Sequence, residues 1–310
     1  MSRWHAHTRA IRLSSREASL TPSSALSWLP YACATAPAGQ SVLRECVPMR
    51  EMNESVEPPV LEISDLRVAY GSRTVVDGLA FRVDRGEIFG LLGPNGAGKT
   101  TTLSALEGLV KPVSGHVVVN GVEVQRYPIE AKALLGVQLQ SSSFQAELSI
   151  EQIVKLYAGL YGVRLSRAQI RESIRTLGLG EELGKRFKHL SGGQQQRLAL
   201  FIATIHNPLL LLLDEPTAGL DPQSRRTLWK RIEKLRGDGS SIVLTTHSME
   251  EAQAVCDRVA IIDHGKLLTL GTPAELINKH KDDPEVLAVA HGAVTLEDVF
   301  IGLTGDEIRD

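Results

Sequence analysis

Residues 93–101 read Gly93-Pro94-Asn95-Gly96-Ala97-Gly98-Lys99-Thr100-Thr101. A short apolar run, Ile88 to Leu92, precedes them, and a helical pattern from Thr101 to Leu109 follows. Glycine, four residues, then Gly-Lys-Thr between a strand and a helix is the context a phosphate-binding loop needs. A triphosphate is a dense anion, and backbone N–H groups at a helix N-terminus can wrap it. Gly93, Gly96 and Gly98 let the backbone approach without side-chain clash. Lys99 brings a point charge to the β- and γ-phosphates, and the Thr100 hydroxyl suits Mg²⁺. The competing reading is a tight glycine turn between strand and helix, which the flanking elements and the spacing disfavour.

A second constellation lies downstream. The apolar run Leu209 to Leu213 ends in Asp214-Glu215-Pro216. A buried strand that ends in two acids sets both carboxylates at the carboxyl edge of a sheet, where open α/β sheets bind ligands. Asp214 can enter the Mg²⁺ shell. Strand side chains alternate, so Glu215 is expected on the opposite side, from where it could orient or deprotonate an attacking water. An acidic pair alone also fits a solvated turn; beside a phosphate loop it reads as chemistry.

The elements that must position these groups alternate between strand and helix. Val60 to Tyr70 alternates apolar and polar residues like a strand and ends at the Gly71-Ser72 turn. Leu79 to Val83 and Ile88 to Leu92 read as strands. Val117 to Val119 runs into Asn120-Gly121, a hairpin signal. Helical spacing marks Ile150 to Tyr161, Ala168 to Leu177 and Pro222 to Leu235. Ile242 to Thr245 reads as a buried strand, and Val259 to Leu270 as a hairpin turning at His264-Gly265. Such alternation predicts an α/β domain around a largely parallel sheet.

Composition bounds the function classes. The chain of 310 residues is 43% hydrophobic and 23% charged, enough for a sizeable core. A net charge of -2 gives no global sign of nucleic-acid binding. The longest strongly apolar run is Leu209 to Leu213, whereas a membrane-spanning helix needs about 20 apolar residues; a link to a membrane is therefore expected to run through a partner. Cys33, Cys46 and Cys256 match no zinc or redox spacing. The first 50 residues hold arginines but no lysine, and only Glu17 and Glu45 as acids. The preferred reading of 1–58 is a non-native extension produced by an upstream start, with the working protein beginning near Met49 or Met52. A disordered tail and an Arg- and Ser-rich transit peptide are the alternatives. Residues 59–280 are read as the ATP-binding domain and 281–310 as a helical tail.

Taken together, the motifs resemble the nucleotide-binding subunits of ATP-binding-cassette (ABC) transporters. Leu190-Ser191-Gly192-Gly193-Gln194-Gln195-Gln196-Arg197 is similar to the signature that separates this family from other phosphate-loop ATPases. The resemblance runs from about Pro59 to at least Glu275 and implies a P-loop NTPase fold: a RecA-like core, a small antiparallel β subdomain and a helical signature subdomain. It also implies roles. Tyr70 matches the aromatic that stacks on adenine, and Gln140 the glutamine that senses the γ-phosphate, joins the metal site and contacts the permease, with Gln138 the near alternative. Asp221, in Leu220-Asp221, matches the loop that crosses between two subunits, and His247 the switch histidine. Two cassettes are expected to pack head to tail as a homodimer, each ATP held between one subunit's phosphate loop and the other's Ser191 and Gly193. Mg²⁺ accompanies the nucleotide.

The stretch Thr295-Leu296-Glu297-Asp298-Val299-Phe300 resembles the tail of bacterial drug- and multidrug-export ATPases that serve a separate, ABC-2 type permease. Read on its own, it is a capped helix whose first-turn acids suit the helix dipole. The expectation is an ATPase on the inner face of the cell membrane, bound through its permease, that powers export of a drug-like or other small hydrophobic compound. A soluble cassette ATPase that assembles a cofactor or complex is the alternative. Chromosome-maintenance cassettes need long coiled coils between phosphate loop and signature, for which 100–190 leaves no room. Translation-factor ATPases carry two cassettes in one chain, and this chain has one. Intact Lys99, Glu215 and His247 argue against a non-catalytic cassette.

Overall fold

The computed structural model describes residues 57–138 and 144–305. The chain opens with an antiparallel pair, β1 (Leu61–Tyr70) and β2 (Arg73–Val83), and continues through β3 (Ile88–Leu92) into α1 (Lys99–Leu106). Next come β4 (Ser114–Val119), β5 (Val122–Glu123), α2 (Pro128–Leu134) and β6 (Leu135–Gln138). Three helices, α3 (Ile150–Leu160), α4 (Arg167–Thr176) and α5 (Gly192–Thr204), precede β7 (Leu210–Asp214). Then follow α6 (Pro222–Gly237), β8 (Ser241–Thr246), α7 (Met249–Val255), β9 (Arg258–Asp263) and β10 (Lys266–Gly271). Helices α8 (Pro273–His280), α9 (Pro284–Val289) and α10 (Leu296–Thr304) close the described chain.

Two sheets form. One is antiparallel, in the order β2-β1-β4-β5; the other runs β10-β9-β3-β8-β7-β6, parallel except for the edge strand β10. Strand alternation feeds two separate cores. Phe89, Leu91, Leu210, Leu212 and Val243 face the antiparallel sheet and α1. Ile88, Leu92, Leu211, Leu213 and Leu244 face α6, α7 and the C-terminal helices. Both faces are covered, which is why these strands read as unbroken apolar runs rather than alternating ones. Val286, Leu296, Val299 and Phe300 from α9 and α10 belong to the second core, so the tail is packed against the cassette.

A third core binds α3, α4 and the first turns of α5 through Ile150, Ile153, Ile170, Ile174, Phe187 and Leu198. All three helices start on a serine with a full capping box: Ser149 with Gln152, Ser166 with Gln169, and Ser191 with Gln194. The serine oxygen takes one orphan N–H and the glutamine side chain another. Among the described residues no helix is long and apolar enough to cross a membrane.

The catalytic loops end adjacent parallel strands

β3, β8 and β7 are neighbours, and their carboxyl ends carry the three segments singled out by sequence. The loop after β3 enters α1 with no side-chain cap: Gly98, at φ 105°, occupies the N-cap position in the left-handed region. A side chain there would also meet the Val75 carbonyl at 2.9 Å. The uncapped amides at this helix start and the positive end of the dipole make an anion site. Lys99 is 5% exposed, and its Nζ donates to the Gly93 carbonyl at 2.7 Å and the Pro94 carbonyl at 3.2 Å. Burial pushes its pKa down, opposed by the charges of Glu215 and Asp214.

Asp214, the last residue of β7, is buried. Its carboxylate accepts from the Thr100 hydroxyl at 3.1 Å and from the Thr245 hydroxyl at 2.5 Å. Glu215 lies past the strand end with φ 46°. That left-handed turn ends the alternation, so Glu215 does not sit on the opposite side of the strand. Its Oε1 is 3.7 Å from Lys99 Nζ and 3.4 Å from His247 Nδ1, on the same side as Asp214 and the loop. The expectation drawn from strand alternation is thereby corrected: a non-glycine residue in this conformation reverses the chain, and period-two reasoning stops at Asp214.

Lys99, Thr100, Asp214, Glu215 and His247 thus converge. A cavity of 190 Å³ opens beside them, lined by Val75, Pro94, Asn95, Gly96, Gly98, Lys99, Thr100, Thr101 and Glu215. Thr100 and Asp214 offer a hydroxyl and a carboxylate oxygen already 3.1 Å apart, hard donors that suit Mg²⁺. Tyr70 stands at the end of β1, 54% exposed, with its ring open to solvent.

Ser191 and Gly193 do not line this cavity. They form a second group with Asp221, whose carboxylate caps α6 by accepting from the Gln223 and Ser224 amides at 3.0 and 2.9 Å. Hydrogen bonds from Ser224 hold that carboxyl below the ordinary carboxylate range. A side chain on Gly193 would meet Ser224 Oγ at 2.7 Å, so the signature turn packs tightly on the first turn of α6. Gln140 lies outside the described residues; Gln138 is buried and donates from its amide to Gln196 on α5.

The roles of Thr245 and Glu107, and the pairing of Gln138 with Gln196, are not legible in the sequence. Thr245 reads only as the end of the apolar run from Ile242, and nothing local reveals that its hydroxyl meets a residue on another strand. Glu107 lies within the helical pattern from Thr101 to Leu109, where nothing local marks one acid as buried.

Residues 76–218 match the sequence family described as ABC transporter. The chain is 40% identical over 309 residues to Nod factor export ATP-binding protein I of Ralstonia nicotianae, covering 81% of this chain and 96% of that protein. The chain belongs to the ABC transporter family. Linearmycin resistance ATP-binding protein LnrL of Bacillus subtilis is 35% identical, with 75% of this chain and 76% of that one covered. A solved structure of an ATP-binding subunit of an ABC transporter superposes with a TM-score of 0.67 at 29% identity, covering 79% of this chain and 99% of that one. The ABC subunit described here binds and hydrolyses ATP and works with a membrane permease. This is the transport reading, and the assembly ATPase held as its alternative is set aside.

Proposed function

We propose that this subunit powers export of a drug-like or other small hydrophobic compound, as a Mg²⁺-dependent homodimer on the inner face of the cell membrane. The permease-bound placement agrees with the absence, among the described residues, of any membrane-crossing helix. The export reading is supported by the relatives' names: Nod factor export, linearmycin resistance and, in Escherichia coli, a probable multidrug transporter ATP-binding protein, YbhF, 38% identical over 254 residues. YbhF is covered over only 42% of its length, so it supports the cassette reading and nothing about the rest of that protein.

The observation that carries the catalytic part is the position of Glu215 Oε1 between Lys99 and His247, beside Asp214. In this reading the loop amides and Lys99 bind the β- and γ-phosphates. Glu215 orients the attacking water and takes its proton at Oε1, and His247, with Nδ1 3.4 Å from that oxygen, serves as the switch histidine facing the γ-phosphate. Thr100, Asp214 and Gln140 would hold Mg²⁺, which supplies charge neutralisation on the phosphate oxygens. Tyr70 stacks on the adenine. The buried, low-dielectric floor around Lys99 and Asp214 strengthens each of these interactions.

The separation of Ser191 and Gly193 from the phosphate-loop cavity supports a site completed in trans. Ser191 starts α5 and Asp221 starts α6 side by side, so a γ-phosphate reaching Ser191 of a second copy would also meet the partner's crossing loop. Glu215→Gln tests the chemistry. It should keep ATP affinity, nearly abolish turnover and accumulate an ATP-bound dimer; hydrolysis at the wild-type rate would remove the base assignment. Co-purification from detergent-solubilised membranes identifies the permease and, with it, the cargo.

A further inference from the structure

The Thr245 side chain is wholly buried near the end of β8, and its hydroxyl bonds the carboxylate that ends the neighbouring strand β7 and the backbone of the residue after it. Its hydroxyl donates to Asp214 Oδ1 at 2.5 Å. The same oxygen accepts the backbone N–H of Glu215 at 3.0 Å. Parallel pairing puts Asp214 directly opposite Thr245, so the two side chains leave the sheet on the same face. Thr100 binds the other carboxylate oxygen of Asp214, which leaves Oδ1 to Thr245. Glu215 meanwhile holds a left-handed backbone, φ 46°, that a residue with a Cβ adopts only when its surroundings impose it. The hydrogen bond to its amide is such an imposition: rotating Glu215 out of that conformation would take a part-buried N–H away from this acceptor.

We propose that Thr245 is a positioning residue for hydrolysis: through one hydroxyl it fixes the rotamer of the metal acid and the backbone turn that aims the catalytic glutamate. This rests on the roles given above to Asp214 and Glu215. A methyl-bearing replacement keeps the shape of the site while removing both hydrogen bonds. Asp214 then loses the partner that holds Oδ1, and the Glu215 turn loses its anchor. Outer partners of metal-holding carboxylates usually carry a 10–100-fold effect on affinity or activity, so a loss of about that size is expected.

The experiment compares full-length wild type with Thr245→Val, Thr245→Ser and Thr245→Cys. Binding of a fluorescent ATP analogue in EDTA should be unchanged in all four, because the phosphate-loop amides and Lys99 remain. Mn²⁺ affinity in the presence of a non-hydrolysable ATP analogue, read by electron paramagnetic resonance, should fall about 10–100-fold in Thr245→Val, and turnover should fall with it. Thr245→Ser should restore both. Wild-type Mn²⁺ affinity and turnover in Thr245→Val would overturn the proposal, as would a serine variant as impaired as the valine one. If Thr245→Val fails to fold, the serine and cysteine variants decide. They are close in size but differ in hydrogen-bonding strength, so serine activity with cysteine loss upholds the proposal and equal behaviour overturns it. Glu215→Gln run alongside separates the two levels. If it hydrolyses like wild type, the base assignment fails, while the Mn²⁺ affinities still report on Thr245 and Asp214.

Discussion

Replacing Glu107 with glutamine should stabilise the cassette in alkaline solution and leave it nearly unchanged in acid. Glu107 caps the C-terminal end of α1, its N–H bonded to the Leu103 carbonyl at 2.9 Å. The residue is 6% exposed, and its Oε1 is buried with no hydrogen-bond partner among the described residues. Burial, then the charge of Asp214, push its pKa up to about 7 from 4.5, against a smaller downward pull from Lys132. The sign follows from linkage. A carboxyl whose folded-state pKa exceeds its unfolded value is most favourable to the fold below 4.5, where both states hold the proton. The penalty grows as pH rises from 4.5 to about 7 and is full above that range.

At 1.36 kcal/mol per unit, the shift sets a ceiling of about 3 kcal/mol. Residual solvent access to the carboxyl reduces this, and about 1–2 kcal/mol is the working expectation. Glutamine cannot ionise, so it removes the pH-dependent part. It keeps the same unpartnered oxygen, and any packing cost it adds is equal at every pH. The assay is therefore a difference of differences: thermal or denaturant unfolding of wild type and Glu107→Gln at pH 5 and pH 8. For a domain of this size, about 1 kcal/mol moves Tm by about 2–4 °C. The variant should gain at pH 8 relative to pH 5 by about 1–2 kcal/mol. An equal Tm change at both pH values, or a larger relative loss at pH 8, would refute the argument that Glu107 is forced to ionise in a buried place.

Two further outcomes test the nucleotide site. Lys99→Ala should weaken binding of a fluorescent ATP analogue and cut turnover by about 100-fold or more, because a preorganised charge is lost from the phosphate cradle; unchanged affinity and turnover would refute the phosphate-loop reading. Ser191→Arg should still bind ATP at its own loop yet fail to support hydrolysis in a partner. Mixing it with Lys99→Ala should return some activity, since one site of that heterodimer carries both lesions and the other neither. If mixing restores neither hydrolysis nor ATP-driven dimerisation, even in reconstituted membranes with the permease, the head-to-tail arrangement fails.

The phosphate loop was legible because everything it needs is local: glycines, lysine and threonine within nine positions, flanked by a strand and a helix. The acid pair was half legible. Asp214 follows from the strand, but Glu215 does not, because its left-handed turn depends on a hydroxyl from another strand. Short elements were missed for a different reason. β6 is four residues long and carries Gly136, and α2 and α7 span seven each, too short for periodicity to stand out. The cap at Thr295 was legible as a helix start, with Asp298 completing the capping box. That the following Val299 and Phe300 would fill the core beneath β3 and β8 was not, since a nine-residue amphipathic helix does not name the surface that buries it.

What joins these cases is the register of the parallel sheet. Leu91 pairs with Thr245 and Leu92 with Thr246 across β3 and β8, while Leu213 pairs with Leu244 and Asp214 with Thr245 across β7 and β8. The apolar residues of these strands alternate strictly between the two cores, so a slip of one residue would carry every one of them to the wrong face. The cost of that slip is the burial of several large side chains, each worth about 1.5–3 kcal/mol. The same alternation decides which face Asp214 and Thr245 share and on which face Thr246 departs. Thr246 turns toward the second core, where its oxygen accepts the Ser248 amide at 2.9 Å as α7 begins. His247 is thus presented between a residue that holds the acids and a residue that starts the next helix. The hydrophobic pattern therefore specifies more than stability: it aligns the ends of three strands closely enough for one hydroxyl to reach both carboxylate-bearing residues. A core substitution on β8 that shifted this alignment by a fraction of an ångström would act on hydrolysis without touching nucleotide.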